Sequence, residues 1–253
     1  MNQGFSINDF LRTIGFPLKH NFLIDSREAL EKAVETFGIL PFFPNNIKGL
    51  SIEEMCAPGM LFGGNYEEGC WEWKGPVIRK GKSMYGKVFR RKAGFVSLDL
   101  IPDFLNYRRA SYPLKKGGME EMLLEIIREN DSLSSTELKK LIFGNKERTS
   151  WDELPEIKET YTVPTKKKSL ESPLQKLQMG GWIIISDFEY KRTKRGERYG
   201  WGVARYSTPE LVFGDLIRKL DGRNAEQSLN YIVSRIKKTW PSASKNSIIT
   251  LLK

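Results

Sequence analysis

Histidine occurs once in this chain, at His20, and cysteine twice, at Cys56 and Cys70. One His and two Cys give no spacing that resembles a structural zinc site, and any Ser-His-Asp arrangement would have to be built on that single imidazole. Two cysteines in 253 residues imply no disulfide framework either, and both are read as ordinary, partly buried thiols. No metal and no cofactor is therefore expected. No stretch approaches the roughly 20 apolar residues needed to cross a bilayer. The first residues, MNQGFSINDFLRTIGFPLKH, alternate polar and apolar positions without the continuous apolar centre of a signal peptide, so no membrane partner and a cytoplasmic location are expected. A phosphate-binding loop is also missing. Gly75-Pro76-Val77-Ile78-Arg79-Lys80-Gly81-Lys82-Ser83 ends like one, but five residues separate its glycines where four are needed, and no apolar strand precedes it.

The last shortage is local: from Lys74 to Leu98 there is no acidic residue, while eight basic ones occur, Lys74, Arg79, Lys80, Lys82, Lys87, Arg90, Arg91 and Lys92. Over the whole chain 41 Lys and Arg stand against 31 Asp and Glu, a formal net charge of +10. Such an excess favours a nucleic-acid or other anionic partner without specifying one. Trp71, Trp73, Tyr85 and Phe89 are interleaved with the basic run. Cations that hold phosphates beside rings that stack bases are a nucleic-acid-binding combination. The alternative is that the rings are core and the cations a solvated face, and periodicity cannot separate the two.

Helical patterning appears early. Asp25 or Ser26 can cap a helix whose apolar face carries Leu30, Val34 and Phe37, and Gly38 can close it. Ile39 to Pro44 follows with two prolines and reads as a buried extended connector. In 118–143, Met119, Met122, Leu123, Ile126 and Ile127 mark one helix. Asn130-Asp131-Ser132 breaks it, and Ser134 or Ser135 caps a second helix with Leu138, Leu141 and Ile142 inside. A long connector, 144–168, ends in Lys166, Lys167 and Lys168. Then Leu170, Leu174 and Leu177 form a third helical stripe, stopped at Gly180-Gly181. Trp182 to Ile185 and Tyr199 to Tyr206 read as the strands of a hairpin whose tip carries Lys191, Arg192, Lys194, Arg195 and Arg198 against Glu189 and Glu197. Helix, turn, helix, connector, helix and basic hairpin is the order of a winged helix. Its third helix enters the major groove, here with Gln175, Lys176 and Gln178 beside the leucine stripe, and its wing lies along a backbone. Residues 208–253 return to helical patterning and show no chemistry.

Several strings then resemble a known family. Leu174-Gln175-Lys176-Leu177-Gln178-Met179-Gly180 with Ile183-Ile184-Ile185-Ser186, Tyr199-Gly200-Trp201 with Tyr206-Ser207-Thr208, and Trp71-x-Trp73-Lys74 through Tyr85-Gly86-Lys87 to Arg108-Arg109 are similar to the AlkZ-related proteins, relatives of the bacterial winged-helix DNA glycosylases. The resemblance covers roughly residues 28–210. It implies a compact assembly of tandem winged-helix units with a basic, DNA-facing surface. It also implies a Gln-x-Gln or Gln-x-Asp catalytic motif after a Leu-Gly-type turn, a place taken here by Phe37-Gly38-Ile39-Leu40-Pro41-Phe42-Phe43. The catalytic pair would fall on Pro41 and Phe43, neither of which can orient a water or stabilise positive charge on a sugar.

The expected fold is thus α+β, mostly helical, with winged-helix units over 1–113 and 114–210 and a helical region over 211–253. The expected function is duplex-DNA binding by a relative of the glycosylases that lacks their catalytic motif, in repair or regulation. Two other readings stand beside it: an active base-excision glycosylase with other catalytic residues, Glu72 or Lys87 among them, and a winged-helix protein-interaction module. Oligomeric state and the DNA or RNA preference are left open by the sequence.

Overall fold

The computed structural model is described over residues 22–63, 69–143, 170–196, 198–219 and 221–253. His20 and the 144–168 connector, with Lys166, Lys167 and Lys168, lie outside these residues. The first helix, α1 (Arg27–Phe37), buries Leu30, Ala33, Val34 and Phe37 along one face. Its first turn is satisfied by Ser26, whose side chain accepts the Ala29 N–H at 3.2 Å. Gly38 closes it at φ 78°, and a Cβ there would meet Leu100 Cδ1 at 2.7 Å, so the close packing requires glycine. The chain then enters β1 (Ile39–Pro41), fully buried, where the sequence suggested an extended connector.

Short α2 (Ile52–Met55) and α3 (Cys70–Arg79) follow, then β2 (Ser83–Phe89), β3 (Lys92–Ser97) and α4 (Ile101–Ser111). The strands form an antiparallel sheet in the order β1-β3-β2, with Ile39 opposite Val96 and Pro41 opposite Gly94. Proline is tolerated because β1 is an edge strand. Phe89 lies opposite Lys92, so the β2–β3 turn has only Arg90 and Arg91 at its tip, both left-handed at φ 48° and 66°.

The second half repeats this order. α5 (Met119–Glu129) buries Met122, Leu123, Ile126 and Ile127. After Asp131, at φ 60°, come β4 (Leu133–Ser134) and α6 (Ser135–Phe143). Ser134 caps α6 reciprocally: its hydroxyl accepts the Glu137 N–H at 3.3 Å, and the Glu137 carboxylate accepts the Ser134 N–H at 2.7 Å. α7 (Glu171–Met179) ends before Gly181, which is left-handed at φ 66°. β5 (Ile184–Arg192) and β6 (Arg198–Ser207) complete a second antiparallel sheet, ordered β4-β6-β5. α8 (Pro209–Phe213), a 3₁₀ turn, α9 (Ala225–Thr239) and α10 (Lys245–Leu251) finish the chain. The fold is α+β with two small antiparallel sheets. Among the described residues no helix is long and apolar enough to cross a membrane.

Two cores result. One joins α1, the first sheet, α3 and α4 to the C-terminal helices through Ile232, Ile236, Trp240, Ile248 and Leu252. The C-terminal region therefore packs into the first half, with Trp240 edge-on to Phe37 at 5.3 Å. The other core gathers Leu123, Ile127, Leu138, Ile142, Leu174, Leu177 and Ile183. Arg108 ties them: fully buried, it donates from Nε to the Met179 carbonyl and from Nη1 to the Leu252 carbonyl, with its guanidinium 4.5 Å from the Tyr112 ring. Three elements distant in sequence thus meet on one cation.

Candidate nucleic-acid interface

The basic run of 74–92 is divided by the fold. Lys74 lies in α3 at 2% exposure, its Nζ donating to the Trp71 carbonyl and sitting 3.7 Å from the centre of the Trp71 ring and 4.6 Å from that of Phe188. Burial brings its pKa down to about 7. Trp73 and Tyr85 are also buried; Tyr85 packs 4.6 Å from Phe95, and burial pushes its hydroxyl pKa up. These three were expected on a ligand-facing surface and belong instead to the core, because β5 of the second half lays Phe188 across α3 and β2. Arg79, exposed, pairs with Asp187 of β5 at 2.7 Å. Lys80 pairs with Glu31 at 2.6 Å, and Lys82 lines a cavity of about 610 Å³ shared with Glu28, Glu31, Glu35 and Asp99. Both face α1 and its carboxylates.

Gln178 is displaced in the same sense. It is 2% exposed, and its Oε1 accepts the Lys87 N–H at 2.9 Å, stitching α7 to β2. It is not on the outer face of α7 beside Gln175. Lys87 itself is half-buried in β2.

Lys92 donates to the Pro44 carbonyl at 3.3 Å, whereas the two arginines before it converge with α7. Arg90 and Arg91 at the β2–β3 turn meet Ser172, Gln175 and Lys176 of α7 around a groove of about 410 Å³, with Tyr112, Met179 and Lys253 in its walls. The turn is held there by the Arg91 N–H, which donates to Met179 Sδ at 3.2 Å. No Asp or Glu side chain lines the groove among the described residues. Lys176 also reaches Glu120 at 3.0 Å. Residues 85 positions apart in sequence thereby share one basic concavity, a geometry that suits a phosphodiester or another anion.

The β5–β6 hairpin supplies a second basic surface. Lys191, Arg192, Lys194 and Arg195 are exposed, and among the described residues Lys191, Lys194 and Arg195 have no carboxylate partner. Arg192 donates to the Gly196 carbonyl at 2.8 Å. The Arg198 side chain lies outside the described residues.

Where the hairpin crosses the first half, an aromatic cluster forms that the sequence reading reached only through Trp71. The Trp71 ring lies 5.2 Å from Phe42, 6.3 Å from Phe43, 5.7 Å from Phe62 and 5.7 Å from Trp201. Trp201 is 72% exposed and Phe62 52%. An exposed tryptophan in a strand was the available signal. The positions to which the family pattern would assign catalysis, Pro41 and Phe43, border this cluster: Pro41 ends an edge strand and Phe43 packs on Phe42 at 5.1 Å. Beside it Glu72 has a carboxylate oxygen buried without a hydrogen-bond partner among the described residues, and burial pushes its pKa up. Glu72 and Trp73 also line a cavity of about 420 Å³ with Asp25, Ser26, Arg27, Glu28 and Pro76.

A family model described as AlkZ related matches residues 24–253. No curated protein and no solved structure matches the chain.

Proposed function

The chain belongs to the AlkZ-related family, which relates it to the DNA glycosylases, and from that premise we propose a cytoplasmic protein that binds duplex DNA and lacks the glycosylase motif. The observation that carries this reading is the groove in which Arg90 and Arg91 meet Gln175 and Lys176. Each half is read as a winged helix, because both run helix, strand, helices, strand, strand with the first strand beside the last. The units span 1–113 and 114–210, and 211–253 buttresses the first. Duplex DNA lies along the groove, with the exposed cations of the β5–β6 wing on its backbone and Gln175 of α7 toward a base edge. Trp201 offers a face to a base that leaves the stack.

Fluorescence anisotropy on a duplex across a salt series tests the binding. Neutralising about six phosphates gives a slope of log K on log salt of about −5, and a flat dependence rejects the reading. Single-turnover assays on duplexes carrying an alkylpurine or a crosslinked base test the chemistry. The unmodified protein is expected to release neither at a glycosylase-like rate, since loss of a general catalyst removes about 10²–10⁴ in rate. Pro41→Gln with Phe43→Asp raises excision if the surrounding site is intact.

Glu72 favours a second reading, an active glycosylase. A carboxyl with raised pKa and an oxygen buried without a partner among the described residues, beside a cavity with Trp73 in its wall, is a fitting general acid or base. Robust release that Glu72→Gln abolishes establishes that reading in place of the first.

A further inference from the structure

Cys56 and Cys70 are both buried, at 7% and 0% exposure, and their sulfurs lie 2.9 Å apart. They come from different elements. Cys56 follows α2 and bridges to Ile24, its N–H donating to the Ile52 carbonyl, whereas Cys70 opens α3 with its N–H donating to the Met60 carbonyl. The chain between them returns on itself: Trp71 N–H donates to the Leu61 carbonyl at 2.9 Å, and Phe62 packs on the Trp71 ring at 5.7 Å. Fixed backbone on both sides therefore aims the two side chains at each other. A disulfide has an S–S length near 2.04 Å, so the sulfurs need to close by roughly 0.9 Å, within the reach of small χ adjustments.

We propose that Cys56 and Cys70 form a reversible dithiol–disulfide pair, oxidised by a small peroxide, that staples the loop bearing Phe62 to the helix bearing Trp71. This inference is independent of the DNA-binding reading. A peroxide suits the site because a water-sized oxidant needs far less opening than a bulky disulfide reagent. Cys56, the more exposed of the two residues, attacks one peroxide oxygen; the O–O bond breaks, and sulfenic acid and a hydroxide or water result. The Cys70 sulfur then attacks the Cys56 sulfur, the S–O bond breaks and water leaves with the Cys70 proton. Two thiols and one hydrogen peroxide become one disulfide and two waters, and a dithiol reductant reverses the change. The hydrogen bond to Cys56 pushes the Cys70 thiol up, which keeps its proton in place until the neighbouring sulfur has been oxidised.

The test uses the full chain. No Lys or Arg lies between Lys48 and Lys74, so trypsin leaves both cysteines in the single peptide 49–74, and cleavage after Glu67 or Glu68 separates them. After hydrogen peroxide treatment the tryptic peptide is expected to be lighter by two hydrogens and closed to alkylation, and the two Glu-cleaved fragments to travel as one until reduced. Oxidised protein is expected to melt roughly 5–10 °C higher than reduced protein, because the bond closes a loop of about 15 residues. Wild-type mapping needs no variant; Cys70→Ala adds that Cys56 stops at sulfenic acid or beyond. Two freely alkylated thiols, separate over-oxidation of each cysteine, or a crosslink between two chains would each overturn the proposal.

Discussion

The two hairpins of this molecule follow the same plan and end in opposite conditions. β2–β3 lies in a sheet buried along most of its length and is closed by two residues, whereas β5–β6 emerges from its sheet and carries an exposed tip from Lys191 to Gly196. Both are basic. The charge run that leads into the first is sorted by packing: Lys74 of α3 goes into the core, Arg79 and Lys80 at its end into ion pairs, and of the hairpin's own cations the turn residues Arg90 and Arg91 line the groove beside α7. In the second, the tip cations Lys191, Arg192, Lys194 and Arg195 stay in solvent, and Arg205 at its base pairs with Glu137 and Glu189. Density of charge along the chain is thus a poor guide to density of charge on a surface when a second unit folds across it.

Lys74 marks that sorting most sharply and gives the largest expected effect. In the unfolded chain its ammonium titrates near 10.5, in the folded protein near 7. Between those values the unfolded chain binds a proton that the folded one has lost, so stability climbs as pH rises from about 7 toward 10.5 and is at its lowest below 7. The interval corresponds to about 5 kcal/mol at most, with whatever the two ring faces return already inside it. Lys74→Met should therefore stabilise the fold at pH 7, by about 5 kcal/mol at the upper bound, and flatten the alkaline slope, as denaturant titrations from pH 6 to 10 would reveal. Destabilisation at every pH would mean that the Trp71 carbonyl and the rings hold the amine at a net gain.

The wing comes next. Changing Lys191, Lys194 and Arg195 to Glu should weaken duplex binding about 10²-fold near physiological salt, alike for unrelated sequences, and make the salt slope shallower by about 2.7. The melting temperature should not move, since these side chains are exposed. An unchanged affinity would leave the wing off the DNA.

What the sequence reveals follows range. The Ser26 cap, the Ser134 cap and the stop at Gly180-Gly181 are set by residues within four positions of each other, and all are present; the hairpin after them is present too, but its first strand runs Ile184–Arg192 where Trp182 to Ile185 was expected. Gln178 was legible as a polar residue on α7 but not as a buried one, because its partner is the Lys87 backbone 91 residues away. Lys74 was assigned to the surface for the same reason: the Phe188 that covers it belongs to another sheet. The groove combined Arg90, Arg91, Gln175 and Lys176, each named from sequence, yet their meeting depends on α7 packing on β2, which no local pattern encodes. The C-terminal helices showed no chemistry in sequence, and their role is to complete the first core.

The finest distinction between the hairpins rests on the two-residue turn. Arg90 and Arg91 both sit at positive φ, where an L side chain costs roughly 1–2 kcal/mol and where Asn-Gly is the favoured pair. If the turn served only to reverse the chain, arginine would be the wrong choice at both positions. If it serves the groove, the strain is retained because two guanidinium groups must stand beside Gln175 and Lys176. Arg90→Asn with Arg91→Gly separates these roles. It relieves the backbone, so chemical denaturation should show a gain of about 1 kcal/mol. It also removes two cations from the groove, so duplex affinity should fall and the salt slope become shallower by about 1.8. A variant that is more stable and binds DNA as well as before would leave the wing as the sole basic contact and reduce the first hairpin to scaffold. Opposite movement of stability and affinity would establish that the buried hairpin, too, presents its charge to the nucleic acid.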